Sequence, residues 1–325
     1  MRERLAAFDV GTNSTRLLVA DVDGGEVVAE HAREMVITRL GKGVDRTGRF
    51  DPAALARTLE VLAGYAETCR RLGVARRRLV ATSATRDAAD RRVFLDGVRE
   101  LLGVDAEVLT GQAEAATAYR GATAGGVRGG RAGPPNAAAL EGDLPTLVVD
   151  IGGGSTELIL GDGRNARAMI SLDIGCVRLF ERHLHHDPPT AEEVAALRAD
   201  VAGHLTQVTA VLDPSAAARV VGVAGTVTTV TALALGLETY DPRRIHRATL
   251  DAAEIATVTD KLTAMTVAER AALPVMAKGR EDVIAAGALL LDELVRRFRI
   301  RQVTASESDV LDGILLGLAE RPGVP

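Results

Sequence analysis

The chain has no tryptophan, and aromatic residues make up only 2% of it, so its cores must be built from Leu, Val and Ala. Its two cysteines, Cys69 and Cys176, lie far apart in no metal-like spacing. No apolar run reaches membrane-spanning length, and Arg2, Glu3 and Arg4 lead straight into an apolar segment, unlike a secretory signal. A soluble, cytoplasmic, reduced protein with no membrane partner is expected. An excess of basic charge is also lacking. The net charge of −5 argues against nucleic acid as a partner and requires any polyanionic ligand to be drawn in by a local basic patch. Length and apolar residues are what the chain has in quantity. Its 325 residues, 47% of them hydrophobic, exceed what one compact core usually holds, which predicts two domains.

Strand-like and helix-like segments alternate. Leu5–Val10, Arg16–Asp21 and Glu26–Arg33 read as a meander of three strands. In "FDPAALARTLEVLAGYAETCRRLG", Asp51 can cap a helix, Pro52 suits its first position, apolar residues recur at helical spacing, and Gly73 supplies the stop. Further on come strands at Leu79–Thr82 and Glu107–Leu109 and helices at Val93–Leu102 and Ala113–Arg120. The Gly-, Ala- and Pro-rich run from Gly121 to Pro145 has no periodicity and reads as a linker. Beyond it the order begins again with "TLVVDIGGGSTELILGD". Thr190 and Glu193 form a candidate capping box for a helix reaching about Leu212. The expected domains are 1–124, a linker at 125–145, and 146–306, with a terminal helix at 307–320 returning to the first domain.

The echo between the halves carries the chemistry. "DVGTNSTRLLV" from Asp9 and "DIGGGSTELIL" from Asp150 each place an Asp at a strand end, a glycine two residues on, a small polar turn, and a new apolar strand. Such turns leave backbone N–H groups pointing outward and make an anion-binding concavity, to which hydroxyls add donors. Gly11, Thr12, Asn13 and Ser14 form the first candidate phosphate turn, and Gly152, Gly153, Gly154, Ser155 and Thr156 the second. A third, "VGVAGTVTTV", puts Gly225 and Thr226 at a helix start, which favours a negative ligand. A carboxylate ending an apolar run is costly unless it holds a metal, a water or a donor, so Asp9 and Asp150 are candidate ligands.

These motifs, with "ATSATRDAAD" at Ala81–Asp90, "GQAEA" at Gly111–Ala115 and "GREDVIAAG" at Gly279–Gly287, resemble the Ppx/GppA family nearly end to end. That family, the exopolyphosphatases and guanosine pentaphosphate phosphohydrolases, belongs to the actin-like ATPase superfamily. The resemblance implies an α/β fold of two ribonuclease-H-like domains, with mixed sheets flanked by helices and a ligand cleft between them. It implies Mg2+ or another divalent cation as cofactor. The partners it implies are inorganic polyphosphate or guanosine pentaphosphate and tetraphosphate; the sequence does not fix the oligomeric state, and a homodimer is one assembly compatible with it. Residue by residue, it makes Glu114 the general base for the attacking water and assigns Asp150 and Glu157 to the metal and water network, to which the strand-end reading adds Asp9 as a candidate. Arg16, Thr82, Arg86 and Arg280 join the phosphate contacts. The chain departs from the family's Arg-Glu-Gly near its end, where it has Leu311, Asp312 and Gly313.

Phosphoryl transfer needs positioning, charge neutralisation and an oriented nucleophile, and carboxylates, arginines and glycine turns supply these. Two other readings stand beside hydrolysis: a small-molecule kinase of the same superfamily, for which no acceptor motif is seen, and a weakly catalytic guanosine tetraphosphate sensor. Arg39, Lys42 and Arg46 form a basic loop that either extends a phosphate track or is a solvated turn. "RRLGVARRR", Arg70 to Arg78, reads as a helix end and its following loop. "HLHHD", from His183, reads as a surface helix end rather than a metal site.

Overall fold

The computed structural model describes residues 2–124 and 144–320; the expected linker falls almost wholly outside them, and β6 already begins at its last residue, Pro145. The described residues form two compact units. One holds the N-terminal part of the chain together with the residues from Ser308 onward, and the other ends at Glu307.

In the first unit β1 (Glu3–Val10), β2 (Ser14–Asp23) and β3 (Glu26–Ile37) form an antiparallel meander, and β4 (Arg76–Ala81) and β5 (Ala106–Val108) add to β1 in parallel. The order β3-β2-β1-β4-β5 is that of a ribonuclease-H-like domain. Successive side chains along a strand point to opposite faces, so β1 feeds two cores. Ala6, Phe8 and Val10 pack with the helices Pro52–Arg71 and Arg92–Leu102, and Leu5 and Ala7 with Ala118 and the terminal helix Val310–Glu320. This parity puts Asp9 on the second face, level with the helix Gly111–Thr123. The terminal helix and Gly111–Thr123 touch through glycines. A Cβ on Gly121 would lie 1.7 Å from the Asp309 carbonyl oxygen, and one on Gly313 would lie 2.0 Å from that of Thr117.

The second unit repeats the plan. β6 (Pro145–Ile151), β7 (Thr156–Asp162) and β8 (Asn165–Leu172) form the meander, β9 (Arg219–Val223) runs parallel to β6, and β10 (Thr249–Asp251) pairs antiparallel with β11 (Gln302–Ala305). The order is β10-β11-β9-β6-β7-β8. Leu147, Val149 and Ile151 face a core with Leu289, Leu290 and Leu294 of the helix Ile284–Arg297.

Capping chemistry sets several helix starts. Asp51 accepts the Ala54 N–H at 2.8 Å with Pro52 opening the helix, and Gly73 ends it at φ 65°. Thr190 and Glu193 form the reciprocal box, but that helix stops at Leu205 and not near Leu212; the Thr206 hydroxyl turns back to the Gly203 carbonyl at 2.6 Å and short 3-10 turns follow. The basic run is a second correction. Arg76, Arg77 and Arg78 lie inside β4, where Arg76 pairs with Glu3 at 2.6 Å and Arg78 with Glu107 at 2.9 Å on the neighbouring strands. Among the described residues no helix is long and apolar enough to cross a membrane.

Candidate active site

Both glycine turns are built by the same device. The Gly11 N–H donates to the Ser14 carbonyl at 2.9 Å, and the Gly152 N–H to that of Ser155 at 3.0 Å. The carbonyls of each turn are then drawn backward by a neighbouring segment. The Thr12 carbonyl accepts from Gly41 N–H at 2.9 Å, and the Asn13 carbonyl from Thr38 at 3.1 Å and Arg39 at 2.9 Å. In the second unit the Gly152 and Gly153 carbonyls accept from the first turn of the helix Cys176–His183, through Cys176 at 3.0 Å, Val177 at 2.9 Å and Arg178 at 3.2 Å. With the carbonyls held behind, the N–H groups of Thr12 and Asn13, and of Gly153, Gly154 and Ser155, have no partner among the described residues and are available to an anion. Close approach is what makes glycine necessary behind each turn. A Cβ on Gly41 would sit 2.3 Å from Thr12 Cγ2, and one on Gly175 2.5 Å from the Gly153 carbonyl carbon.

In the first unit β1 and β2 place Asp9 directly opposite Arg16. Arg16 Nη1 is 3.6 Å from Asp9 Oδ2, while Nη2 donates to Asp309 Oδ2 at 2.5 Å. Ser83 and Thr12 share a hydroxyl hydrogen bond of 2.8 Å, which ties the turn to the "ATSATR" segment. Thr110 caps the helix that carries Glu114 in its first turn, and Glu114 is only 8% exposed. Its Oε2 lies 3.4 Å from Arg86 Nη1, which also donates to the Leu109 carbonyl at 3.0 Å, and Thr82 gives it a further hydrogen bond.

Burial dominates the electrostatics. It pushes Glu114 up to about 7, against the pull of Arg86 and aided by the Asp9 charge. It pushes Asp9 up to about 6, against Arg16 and aided by Asp309. Five buried side-chain atoms among the described residues lack a hydrogen-bond partner, and three of them, Asp9 Oδ1, Asn13 Oδ1 and Thr85 Oγ1, belong to the first turn and the "ATSATR" segment. Buried polar atoms are normally satisfied, so this concentration marks a place where a ligand completes the bonding.

In the second unit the registering pair is Asp150 and Glu157, both buried, with Glu157 1% exposed and accepting from Ser171 Oγ at 2.7 Å. Thr156, expected at the phosphate, instead donates its hydroxyl to the Ile174 carbonyl at 2.7 Å. Arg280 lies over the start of the helix Ala224–Ala234, donating to the Gly225 carbonyl at 3.1 Å and to Thr229 Oγ1 at 2.8 Å. A Cβ on Gly225 would be 2.3 Å from its Nη2. Thr226 is buried in the first turn of that helix, whose leading N–H groups have no intrahelical acceptor. Ala224 begins it at φ 68°, a strained conformation for a residue with a Cβ.

Two opposed carboxylates offer the oxygen donors a hard divalent cation takes. Asp150 and Glu157 supply two such donors, and among the described residues no group of three or more His, Cys, Asp or Glu side chains gathers as a metal cluster. In the first unit the unpartnered Asp9 Oδ1 is a further candidate oxygen, although Arg16 already supplies Asp9 with positive charge. The histidine segment is bound to neighbouring carboxylates: His183 Nε2, with His204 Nδ1 from the following helix, lies 2.8 and 3.2 Å from Asp200 carboxylate oxygens, and His186 Nδ1 lies 2.8 Å from Glu193. Sequence reasoning missed Asp309 and saw Asp312 only as a departure from the family's pattern, without its partner; Asp312 grips Arg33 through two hydrogen bonds of 3.1 and 2.8 Å. The acidic stretch just before an apolar terminal helix was the available signal.

Comparison with known proteins shows the family to which this fold belongs. Residues 18–321 match the family model described as the Ppx/GppA phosphatase family. Exopolyphosphatase 2 of Mycobacterium tuberculosis is 45% identical over 97% of this chain and 98% of its own length. A guanosine-5'-triphosphate,3'-diphosphate pyrophosphatase of Vibrio atlanticus is 37% identical over 57% of this chain and 34% of its own. Among solved structures, an exopolyphosphatase-like protein superposes with a TM-score of 0.90 at 35% identity, covering 98% of both chains. A family member from Aquifex aeolicus superposes with a TM-score of 0.79 at 30% identity, covering 99% of this chain and all of its own.

Proposed function

The chain belongs to the Ppx/GppA phosphatase family, and we propose that it hydrolyses terminal phosphoanhydride bonds, releasing orthophosphate from inorganic polyphosphate, from guanosine pentaphosphate, or from both. The observation that carries this reading is the first unit's pairing of a buried carboxyl, raised to about 7, with a turn whose buried oxygens and N–H groups lack partners. A base with that pKa is half ionised near neutrality, where it accepts a proton most usefully.

Glu114 takes a proton from water as the water oxygen bonds to the terminal phosphorus. The bridging P–O bond breaks, and the shortened chain leaves as a phosphate oxyanion. Thr82 and Arg86 hold the Glu114 carboxylate in place, and the N–H groups of Thr12 and Asn13 cover phosphate oxygens. The N–H groups of Gly153, Gly154 and Ser155, the Ser155 hydroxyl and the first turn beginning at Ala224, with Gly225, Thr226 and Arg280, offer the second unit's contacts to a polyanion. A divalent cation, when bound, supplies charge neutralisation, and Asp150 and Glu157 would hold it, with Asp9 as a further oxygen donor in its own unit.

The test is phosphate release from long polyphosphate, short polyphosphate, guanosine pentaphosphate and ATP, with and without Mg2+. Turnover of polyphosphate or guanosine pentaphosphate that depends on Mg2+ and greatly exceeds that of ATP is expected. Transfer of phosphate from ATP to an added small molecule would refute hydrolysis as the function.

A further inference from the structure

The terminal helix opens with a pair of carboxylates that the proposed chemistry does not use. Asp309 Oδ1 accepts the Leu311 N–H at 3.0 Å, and Asp312 Oδ2 accepts the Asp309 N–H at 3.1 Å, a reciprocal cap that fixes the first turn. The glycine contact at Gly121 and Gly313 locks the same turn against the helix that carries Glu114. Asp309 is thus presented rigidly, and its second oxygen is spent on Arg16.

The distances show what that contact does. An arginine facing a carboxylate across a strand pair would close on it as a two-pronged pair. Here Arg16 instead gives Nη2 to Asp309 at 2.5 Å and stands 3.6 Å from Asp9, leaving Asp9 Oδ1 without a donor. We infer that Asp309 is a positioning residue that acts through Arg16: it holds the guanidinium back from Asp9, so that the Asp9 carboxylate keeps an open oxygen toward the reaction centre. Asp312 and Arg33 extend the brace, because Asp312 fixes the Asp309 backbone while holding Arg33. The inference deepens the phosphohydrolase reading and rests on it for its kinetic consequence, but not for its geometry.

Asp309→Asn tests it, because Asn caps a helix as well as Asp does and presents an N–H donor, not an acceptor, to Arg16. Released, Arg16 should close on Asp9. Phosphate release is measured for the wild type, D309N, Arg16→Gln and the double variant, each with its Tm. The expected result is a kcat about 10- to 100-fold lower in D309N, with KM within about threefold, and no further loss when D309N is added to Arg16→Gln. A wild-type kcat in D309N, or the same loss in both backgrounds, overturns the inference. If D309N does not fold, Asp309→Ser, which also caps a helix and carries no charge, takes its place. Crystal structures of the wild type and of the variant decide the geometry independently of turnover. Arg16 bonded to both Asp9 oxygens in the variant supports it, and Arg16 unmoved overturns it. A wild type that releases no phosphate from any phosphoanhydride would refute the functional reading while leaving this structural comparison intact.

Discussion

The two hairpins at Asp9 and Asp150 share strand register, turn closure and the backward anchoring of their carbonyls, yet they differ at the residue facing the aspartate. In the first unit it is Arg16, and in the second Glu157. One scaffold therefore produces two electrostatic environments. The arginine sets a positive charge 3.6 Å from Asp9 within the protein, and burial raises the neighbouring Glu114, the proposed base, to about 7. The glutamate sets a second carboxylate directly across from the aspartate, and these two oxygen donors are the ones we propose for a divalent cation. On the proposed reading, a repeated turn supplies phosphate contacts twice, while the difference opposite the aspartate divides the labour between proton transfer and charge neutralisation.

The largest effect expected to test this division lies at Glu114. Glu114→Gln keeps the side chain's size and removes its basicity, so turnover should fall about 10²- to 10⁴-fold while polyphosphate still binds. Glu67→Gln, on the exposed face of the helix Pro52–Arg71, should leave turnover unchanged in the same assay.

The pH profile probes the same group without mutation. With Glu114 raised to about 7 by burial, kcat/KM should rise through pH 7 and fall about tenfold per unit below it. Stability has the opposite sign. Burial raises both Glu114 and Asp9, so the stability each contributes is complete below its ordinary carboxyl pKa and is lost as pH rises through about 6 to 7. Denaturant midpoints measured from pH 5 to 8 should therefore decline as activity climbs. An activity profile flat down to pH 5 would remove Glu114 as the base.

Packing offers a contrast of smaller size. Gly121→Ala in the first unit drives a Cβ into the Asp309 carbonyl and should cost about 1–3 kcal/mol. Gly203→Ala, in a second-unit helix with nothing near the added carbon, should gain up to about 1 kcal/mol. Urea midpoints of the two variants check the difference. The smallest effect is expected where strand leads into helix. β9 does so through Ala224 at φ 68°, whereas β4 does so through Thr82 at φ −116°. Ala224→Gly should relieve the strain and raise stability by about 1 kcal/mol, read as a higher Tm.

Much of this architecture was legible in the sequence because it is local. The two turns announce themselves within a dozen residues, and Asp51, Pro52 and Gly73 mark one helix at both ends. Asp251 and Glu254 form a further capping box that could have been read in the same way. What escaped reading was non-local. Asp309 meets Arg16 from 293 residues away, and Asp312 meets Arg33 from 279, so no spacing rule could pair them. The strand character of Arg76–Arg78 was hidden because its charges are satisfied by Glu3 and Glu107 on flanking strands, not by an apolar pattern. The opposition of Asp150 to Glu157 was implicit in the hairpin, but it becomes informative only beside Asp9 and Arg16.

The division of labour is tested most directly by the Mg2+ dependence of phosphate release in Glu157→Gln and Glu114→Gln, measured side by side at pH 8 on variants shown to be folded. The account predicts that Glu157→Gln shifts the half-saturating Mg2+ concentration upward and recovers much of its rate when Mg2+ is raised, because it weakens cation binding and spares the base. Glu114→Gln should stay slow at every Mg2+ concentration, with an unchanged half-saturation point. Recovery of Glu114→Gln by Mg2+, or a Glu157→Gln enzyme whose Mg2+ requirement matches the wild type, would contradict it.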